Sequence, residues 1–457
     1  MMFATLIGKF VTGLLRLRGK DATSFPGKLV LRLSPRFIHK MGRRIERVIV
    51  VTGTNGKTTT TSLLAAMMQH DEPIITNHKG ANLAQGIATA FIQHANWRGR
   101  FRAKTAVLEV DEATFPHIAE ALPIVITIVT NVFRDQLDRY GELDATVEKL
   151  FAAIRKTDAC LVLNADDPIC RNIGLRASRK TFYYGMARET ARSGERQQMR
   201  DGQFCLRCGH ELQYSAFWYG QLGLYQCPNC DFGRPHPEFI GIYQGKAMTL
   251  QEADVPDLHL TMPVQGLYNA YNVLAAASGA RVVGLWAEPI HQGLADYIPP
   301  DGRMQAFNTA ATTTLNLIKN PTGCDSVVQA VVTEPGRKTV VIGINDLAAD
   351  GRDVSWLWDA DFELFAETHD IDKFFTSGLR AEDMALRLKY AGVDEAKISI
   401  EPDMDKAVQL AIDAGVERDT PVFILSTYTL LHKTVHTLSA KAREHESTNT
   451  EYRASVS

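Results

Sequence analysis

Val48 to Met68 reads VIVVTGTNGKTTTTSLLAAMM. Val48, Ile49, Val50 and Val51 are four branched residues in a row, the pattern of a strand buried on both faces. From Thr59 onward the run is rich in alanine and leucine and predicts a helix. Between them, GTNGKT makes a turn in which Gly53 and Gly56 let the backbone aim its amides inward. Lys57 can then reach terminal phosphates, and the Thr58 hydroxyl can hold Mg2+ at the positive helix end. Strand, glycine loop and helix in this order predict a phosphate loop, with Gly53, Thr54, Asn55, Gly56, Lys57, Thr58 and Thr59 around a nucleoside triphosphate. The spacing is compressed relative to the usual GxxxxGK, and a GKT in a plain surface turn would lack these flanks.

A chain of 457 residues, 45% hydrophobic and 22% charged, has room for two or three domains with cores of their own. Its formal net charge of -2 excludes a broad electrostatic footprint for nucleic acid, which needs a basic surplus. The N-terminal MMFATLIGKFVTGLLRLRGK is apolar, but Lys9, Arg16 and Arg18 interrupt it. It is too short and too charged to span a bilayer and lacks a clear cleavage site. The expected location is cytoplasmic, with this segment either packed on the first domain or lying on a membrane surface at the inner face of the plasma membrane.

Residues 1–45 read as a helical entry segment. Over 46–300, buried strands such as Ile124 to Val129 and Cys160 to Leu163 alternate with helices, which predicts an α/β fold with a mostly parallel sheet. Residues 190–245 break that pattern with Gly, Cys, Pro and aromatic residues and read as an inserted module. Alternation resumes over 301–445 as a second α/β domain, Rossmann-like, with strands at Thr339 to Ile342, Lys373 to Thr376 and Val422 to Leu425. Residues 446–457 are polar, rich in Ser and Thr, and expected to be disordered.

Within the insertion, CLRCGH carries Cys205 and Cys208, and CPNCDF carries Cys227 and Cys230, with eighteen residues between the two CxxC turns. Two such knuckles complete a tetrahedron of thiolates, the donor set of a structural Zn2+ site with no position left for water. Disulfide pairing is the alternative, and a reducing compartment disfavours it. His210 reads as a supporting or surface residue, and Cys160, Cys170 and Cys324 as core residues.

The loop TGTNGKTTT resembles the ATP-binding loop of the Mur ligase family, whose members join amino acids to peptidoglycan precursors through acyl phosphates. Other segments are similar to that family's motifs. VLEVDE (Val107 to Glu112) would put Glu109 on a Mg2+ ion. IVTNVFRDQLD (Ile128 to Asp138) lines up Asn131, Asp135 and Asp138 with TNxxxDHLD, with Gln136 in place of the expected His. GLYNAYN (Gly266 to Asn272) resembles the GxxNxxN turn near the adenine, so that Asn269 and Asn272 would meet ring nitrogens, or else serve helix packing. Gly302-Arg303-Met304 resembles the GRM element that starts the last domain; Arg303 would reach phosphates, or lie on the surface. GANLAQG around Asn82 resembles a substrate loop. The resemblance implies a Mur ligase-like central P-loop ATPase domain carrying the zinc ribbon, followed by the C-terminal α/β domain.

Ordinary Mur ligases lack such a ribbon. A branch that has one serves as the ligase-like subunit of lipid II isoglutaminyl synthases, and this chain resembles it there and in LNLIKNPTG, INDLAADGRDVSWLWDADFE (Ile344 to Glu363) and STYTLLH (Ser426 to His432). The implied activity is ATP- and Mg2+-dependent amidation of the D-glutamate α-carboxylate in the lipid II stem peptide, through an acyl phosphate. The implied partner is a GatD-like glutaminase on a separate polypeptide, because ammonia is scarce near neutral pH and no glutaminase nucleophile motif occurs here. An aspartate of the C-terminal domain would orient the partner's catalytic His. The candidates are Asp353, which is favoured, and Asp350, with helix capping near Trp356 as the plain alternative. A stand-alone amino-acid ligase of the Mur or folylpolyglutamate type would share the loop without needing the ribbon; Gln136 and the missing AHNP segment speak against it. A regulatory ATP-binding protein would not need Lys57, Thr58 and Glu109 together. Lys57→Ala is expected to abolish turnover and leave the fold intact.

Overall fold

A computed structural model describes residues 2–18, 22–77, 80–134, 143–191 and 201–456, with side chains to residue 447. Lys79, Asp135, Gln136 and Asp138 lie outside the described residues. Apart from the stretch 134–141, the chain forms two compact units that meet in sequence at Ile298 and Pro299.

The first unit opens with three helices, α1 (Met2–Leu17), α2 (Phe25–Leu33) and α3 (Phe37–Gly42). Then come β1 (Arg47–Thr52), α4 (Lys57–Gln69), β2 (Ile74–Thr76), α5 (Ala84–His94), β3 (Thr105–Glu109), α6 (Phe115–Ala121) and β4 (Ile124–Val129). β5 (Cys160–Asn164) and β6 (Thr181–Met186) continue the sheet, and β7 (Gln213–Tyr219) pairs with β8 (Leu222–Gln226) as a separate hairpin. β9 (Phe239–Gln244), β10 (Ala247–Glu252) and β11 (Val255–Thr261) complete a nine-stranded sheet in the order β11-β10-β9-β6-β5-β4-β1-β3-β2. Neighbours from β2 to β9 are parallel, and β10 and β11 close the far edge antiparallel.

The branched run that opens the motif is the central strand. Val48 and Val50 enter a core with Phe37, Phe91 and Leu108, while Ile49 and Val51 face Leu63, Leu64, Met67 and Ala276 on the other side. This two-residue alternation buries both faces, which is why no polar residue interrupts the run. α4 begins at Lys57, two residues before the expected Thr59, because Gly56 at φ 83° turns the chain directly into the helix. β3 lies on one side of β1 and β4 on the other, so the connections diverge above the carboxyl end of β1, where parallel sheets open a crevice for ligands.

Two segments differ from expectation. The inserted module ends before β9, which already pairs with β6 in the main sheet, rather than running to residue 245. The backbone of the expected disordered tail is helical to Val456, as the end of one helix from Tyr428. No Gly or Pro follows Tyr428 to stop it. Among the described residues no helix is long and apolar enough to cross a membrane.

The second unit contains β12 (Gln305–Phe307), β13 (Thr313–Leu317), β14 (Lys338–Gly343), β15 (Ile371–Ser377), β16 (Ile398–Ile400) and β17 (Val422–Ser426), in the order β12-β13-β17-β14-β15-β16. All pairs are parallel except β12 with β13. Asn320 caps the helix Pro321–Thr333 through Gly323 N–H, 2.8 Å away. In the next turn, the Asp325 carboxylate accepts the Asp361 N–H at 2.7 Å. Burial pushes the Asp325 carboxyl up to about 7, against that hydrogen bond and with the charges of Asp361 and Glu363 adding to the rise. An unfolded aspartate titrates near ~3.9, so between about pH 4 and 7 the folded unit holds a proton that the unfolded chain releases. Stability is therefore expected to fall as pH rises through that window and level off above it. Asp325→Asn should flatten this dependence in thermal unfolding, and an unchanged slope would assign it to other groups.

Candidate functional site

β1 and β3 run in register with Val51 beside Glu109, so the turn leaving β1 and the carboxylate closing β3 meet at the same sheet edge. Gly53 (φ 118°) and Gly56 (φ 83°) both take left-handed conformations. A Cβ on Gly53 would lie 2.5 Å from Thr130 Oγ1, and one on Gly56 2.0 Å from Asn272 Oδ1. Glycine is thus required twice, by dihedral angle and by space. The first turn of α4 follows immediately and directs its N–H groups outward as an anion-binding end.

Six polar side chains converge there. Lys57 Nζ donates to the carbonyls of Gly53 (2.5 Å) and Thr54 (3.2 Å) and forms a buried ion pair with Glu112 at 2.9 Å. Burial pushes the Glu112 carboxyl up, and Lys57 pulls it back. The Thr58 hydroxyl and the Asn82 amide both donate to Glu109 Oε1, at 3.1 and 3.0 Å. Asn77 holds the backbone of Glu109 from both sides, donating to its carbonyl at 2.8 Å and accepting its N–H at 2.9 Å. A threonine hydroxyl and a carboxylate side by side at a phosphate-binding turn are the hard oxygen donors that suit Mg2+.

Other loop residues are structural. Thr54 and Asn55 donate their N–H groups to the carbonyl and side chain of Asn131, each at 2.9 Å, and Thr54 Oγ1 exchanges hydrogen bonds with the Phe133 backbone. Thr59 is buried in α4. Asn269 and Asn272 open the helix Leu267–Val283; Asn269 donates to Gln265 O at 2.7 Å, and Asn272 lies between Asn269 and Thr60, against Gly56. Their contacts therefore include the helix-packing role and bring Asn272 beneath the loop. Glu112, Asn77 and Asn131 shape the site without having been singled out as ligands; Glu112 stands three residues past Glu109 in VLEVDE, the one local signal available.

The cysteine knuckles lie in the same unit. The four Sγ atoms of Cys205, Cys208, Cys227 and Cys230 lie within 4.8 Å of one another. The cross pairs Cys205–Cys230 and Cys208–Cys227 are 3.6 and 3.4 Å apart, and no cysteine is bridged. Sulfurs on a tetrahedron with metal–sulfur bonds of ~2.3 Å would be about 3.8 Å apart, so the cluster fits a metal ion. The backbone N–H groups of Arg207 and Asn229 point at the sulfurs of Cys205 and Cys227, at 3.5 and 3.4 Å. The module is tied to the loop. From the β7–β8 turn, Gln221 donates to Val132 O (2.7 Å) and Asp167 (3.0 Å), and Asp167 accepts the Val132 N–H, next to the Asn131 that holds the loop. Below the cysteines, Arg234 pairs with fully buried Asp166 at 2.6 Å, which Tyr271 also reaches.

The two candidate aspartates of the second unit have different surroundings. Asp350 is buried and accepts from Thr429 through its N–H (2.7 Å) and hydroxyl (2.6 Å), pinning the start of the last helix. Asp353 is exposed, and its carboxyl is held below the ordinary range by hydrogen bonds from the Ser355 side chain and N–H. Its Oδ1 accepts the Ser355 N–H at 2.8 Å from one position before the N-cap Val354 of the single turn Ser355–Trp358, so its local contact lies at the start of that turn. Arg303 also belongs to the second unit, where its N–H donates to Pro300 O at 3.1 Å.

The nine-stranded sheet, the compressed loop and the second α/β unit define a Mur ligase. Residues 51–229 match the Mur ligase middle domain, and residues 317–431 match the MurT ligase C-terminal family. The chain is 36% identical over 400 residues to the lipid II isoglutaminyl synthase (glutamine-hydrolyzing) subunit MurT of Staphylococcus aureus strain COL, covering 87% of this chain and 89% of that one. The MurT subunit of Streptococcus pneumoniae R6 is 31% identical, with coverage of 90% and 91%. Among solved structures, a pseudomurein peptide ligase type C from Methanothermus fervidus superposes with a TM-score of 0.66 at 22% identity, covering 86% of this chain and 79% of that one. The MurF ligase from Thermotoga maritima in complex with ADP has a TM-score of 0.62 at 14% identity, with coverage of 92% and 84%. The chain belongs to the MurT family.

The Lys57–Glu112 pair corrects the expectation that Lys57→Ala leaves the fold untouched. Removing the cation strands a buried carboxylate, at a cost of about 3 kcal/mol or more. Lys57→Ala should lose both nucleotide binding and stability, whereas Lys57→Met with Glu112→Gln should recover most of the stability and none of the binding. Denaturant titration beside nucleotide titration separates the two effects; a fully stable Lys57→Ala protein would contradict the pair's importance.

Proposed function

We propose that this chain is the ligase subunit that activates the D-glutamate α-carboxylate of lipid II with ATP and directs ammonia onto it, forming D-isoglutamine during peptidoglycan synthesis. The observation that carries this reading is the convergence of Lys57, Thr58, Asn82 and Glu109 at the carboxyl edge of β1 and β3. It occurs in a chain that aligns with glutamine-hydrolyzing lipid II isoglutaminyl synthase subunits over 87% and 90% of its length.

A carboxylate resists nucleophiles because its charge is delocalised and its leaving group would be an oxide. Attack of its oxygen on the terminal phosphorus of ATP releases ADP and leaves an acyl phosphate. Ammonia then adds to the carbonyl carbon, phosphate departs and a proton passes to solvent. The Lys57 ammonium and the first N–H groups of α4 offset the charge on the transferring phosphoryl group. Thr58 and Glu109 are the residues that would hold Mg2+, which supplies further charge neutralisation when bound. Asn82 and Asn77 keep Glu109 in position, Asn131 keeps the loop open, and Asn269 and Asn272 lie on the side proposed for the adenine. Zn2+ in the four-thiolate cluster has a structural role.

Ammonia comes from a GatD-like glutaminase partner, whose catalytic His is oriented by Asp353. Exposure favours Asp353 over Asp350, whose carboxylate is already committed to Thr429. A stand-alone amino-acid ligase would use the same loop, but nothing in the second unit favours that reading.

With the partner present, Asp353→Asn is expected to slow glutamine-driven amidation by about a hundredfold or more while sparing ammonium-driven amidation, as loss of an acidic orienting residue does. Equal loss of both rates would contradict the assignment. Asp350→Ala should lower stability by about 1 kcal/mol or more through loss of a helix cap. For the cluster, Cys205→Ser is expected to release one zinc per chain and, through Gln221, to weaken nucleotide binding. Zinc retained at full stoichiometry by metal analysis would contradict it.

A further inference from the structure

In α1 the usual amphipathic arrangement is inverted. The residues it buries are small, namely Ala4, Thr5, Gly8 and Thr12, whereas Leu6, Ile7, Val11 and Leu15 are half-buried and Met2, Phe3, Phe10, Leu14 and Leu17 are exposed. Phe3, Phe10 and Leu17 are 74%, 65% and 85% exposed, and Leu14 is exposed beside them. Positions 3, 10, 14 and 17 fall on one helical face, so this is a continuous stripe rather than scattered exposure. The small face is close-packed. A Cβ on Gly8 would lie 2.8 Å from Ile92, and one on Gly27 in α2 would lie 1.9 Å from the Gln85 carbonyl, so neither helix can roll its large residues inward against α5. α2 adds exposed Phe25 and Leu33, and Trp97 is 65% exposed with Lys9 Nζ 5.7 Å from its ring centroid.

The charge around this stripe has one sign. Residues 1–45 hold ten Lys and Arg against the single acid Asp21, in a chain whose net charge is -2. Lys9, Arg16 and Arg18 lie on α1 or at its end, and Lys28 and Arg32 on α2. Exposed aromatic and aliphatic side chains bordered by cations are the recognition pattern for an anionic bilayer surface. A second copy of the chain fits poorly, because a two-fold contact through this face would set Lys9, Arg16 and Arg18 against their own copies.

We propose that α1 and α2 dock the chain on an anionic phospholipid bilayer, with Phe3, Phe10, Leu14 and Leu17 inserted at the interface. The surface is independent of the chemistry proposed for the loop, but the fold connects them. α1 and α2 rest on α5, which begins two residues after Asn82, the residue that meets Glu109. Docking would thus hold the carboxylate site at a fixed height above the membrane, within reach of a lipid-anchored substrate.

Flotation of the full chain with vesicles tests this. Binding is expected with phosphatidylcholine mixed with phosphatidylglycerol, little with phosphatidylcholine alone, and less at high salt. Joint Phe3→Ser, Phe10→Ser and Leu17→Ser substitution should cut the bound fraction by about tenfold, as should joint Lys9→Gln, Arg16→Gln and Arg18→Gln. Nucleotide binding and the thermal midpoint should be unchanged in both. Failure of the unaltered chain to float with anionic vesicles would overturn the proposal, as would full binding by either variant. Self-association in light scattering that the serine set abolishes would also overturn it, assigning the stripe to a second copy.

Discussion

The parallel register of β1 and β3 is the constraint on which the rest depends. Because Val51 stands beside Glu109, the glycine turn and the Glu109 carboxylate leave the sheet at the same edge. A one-residue slip would reverse which face Glu109 occupies and separate it from Thr58. The register is held by two apolar cores, one on each face of β1. Folding energy drawn from branched residues thus positions the polar groups whose burial it must offset, above all the Lys57–Glu112 pair.

Supports for that edge come from distant parts of the chain. Asn131 fastens the loop, Val132 joins it to Asp167, and Gln221 joins both to the hairpin beside the cysteine knuckles. The ribbon is therefore more than an appendage: it lies at the end of a hydrogen-bonded chain that reaches the loop. The second unit follows the same economy, with buried Asp350 fixing the last helix while Asp353, three residues on, stays exposed.

Much of this was legible in the sequence because the signals were local. An unbroken branched run, two CxxC turns and glycines flanking GKT each state their geometry within a few residues. The strands expected at Thr339, Lys373 and Val422 appear with ends shifted by a residue or two. The rest depended on partners far apart in the chain. Asp350 meets Thr429 across 79 positions and Gln221 meets Val132 across 89, separations at which no spacing rule operates. Glu112 was quoted within VLEVDE, but its tie to Lys57 required the fold. The polar tail misled because composition argues against a core, not against a helix, when neither Gly nor Pro interrupts it. The first helix was legible only in part: apolarity reveals that a face exists but not which way it turns, and the close contacts of Gly8 and Gly27 against α5 supply that.

The central claim is carboxylate activation followed by ammonia transfer. Its most direct test is mass spectrometry of lipid II after incubation with ATP, glutamine and this chain, alone and with a GatD-like glutaminase. The account predicts a product in which one hydroxyl is replaced by an amino group, formed only when both polypeptides are present. A product heavier by a whole amino acid, formed by this chain alone, would contradict it and place the chain with the stand-alone ligases.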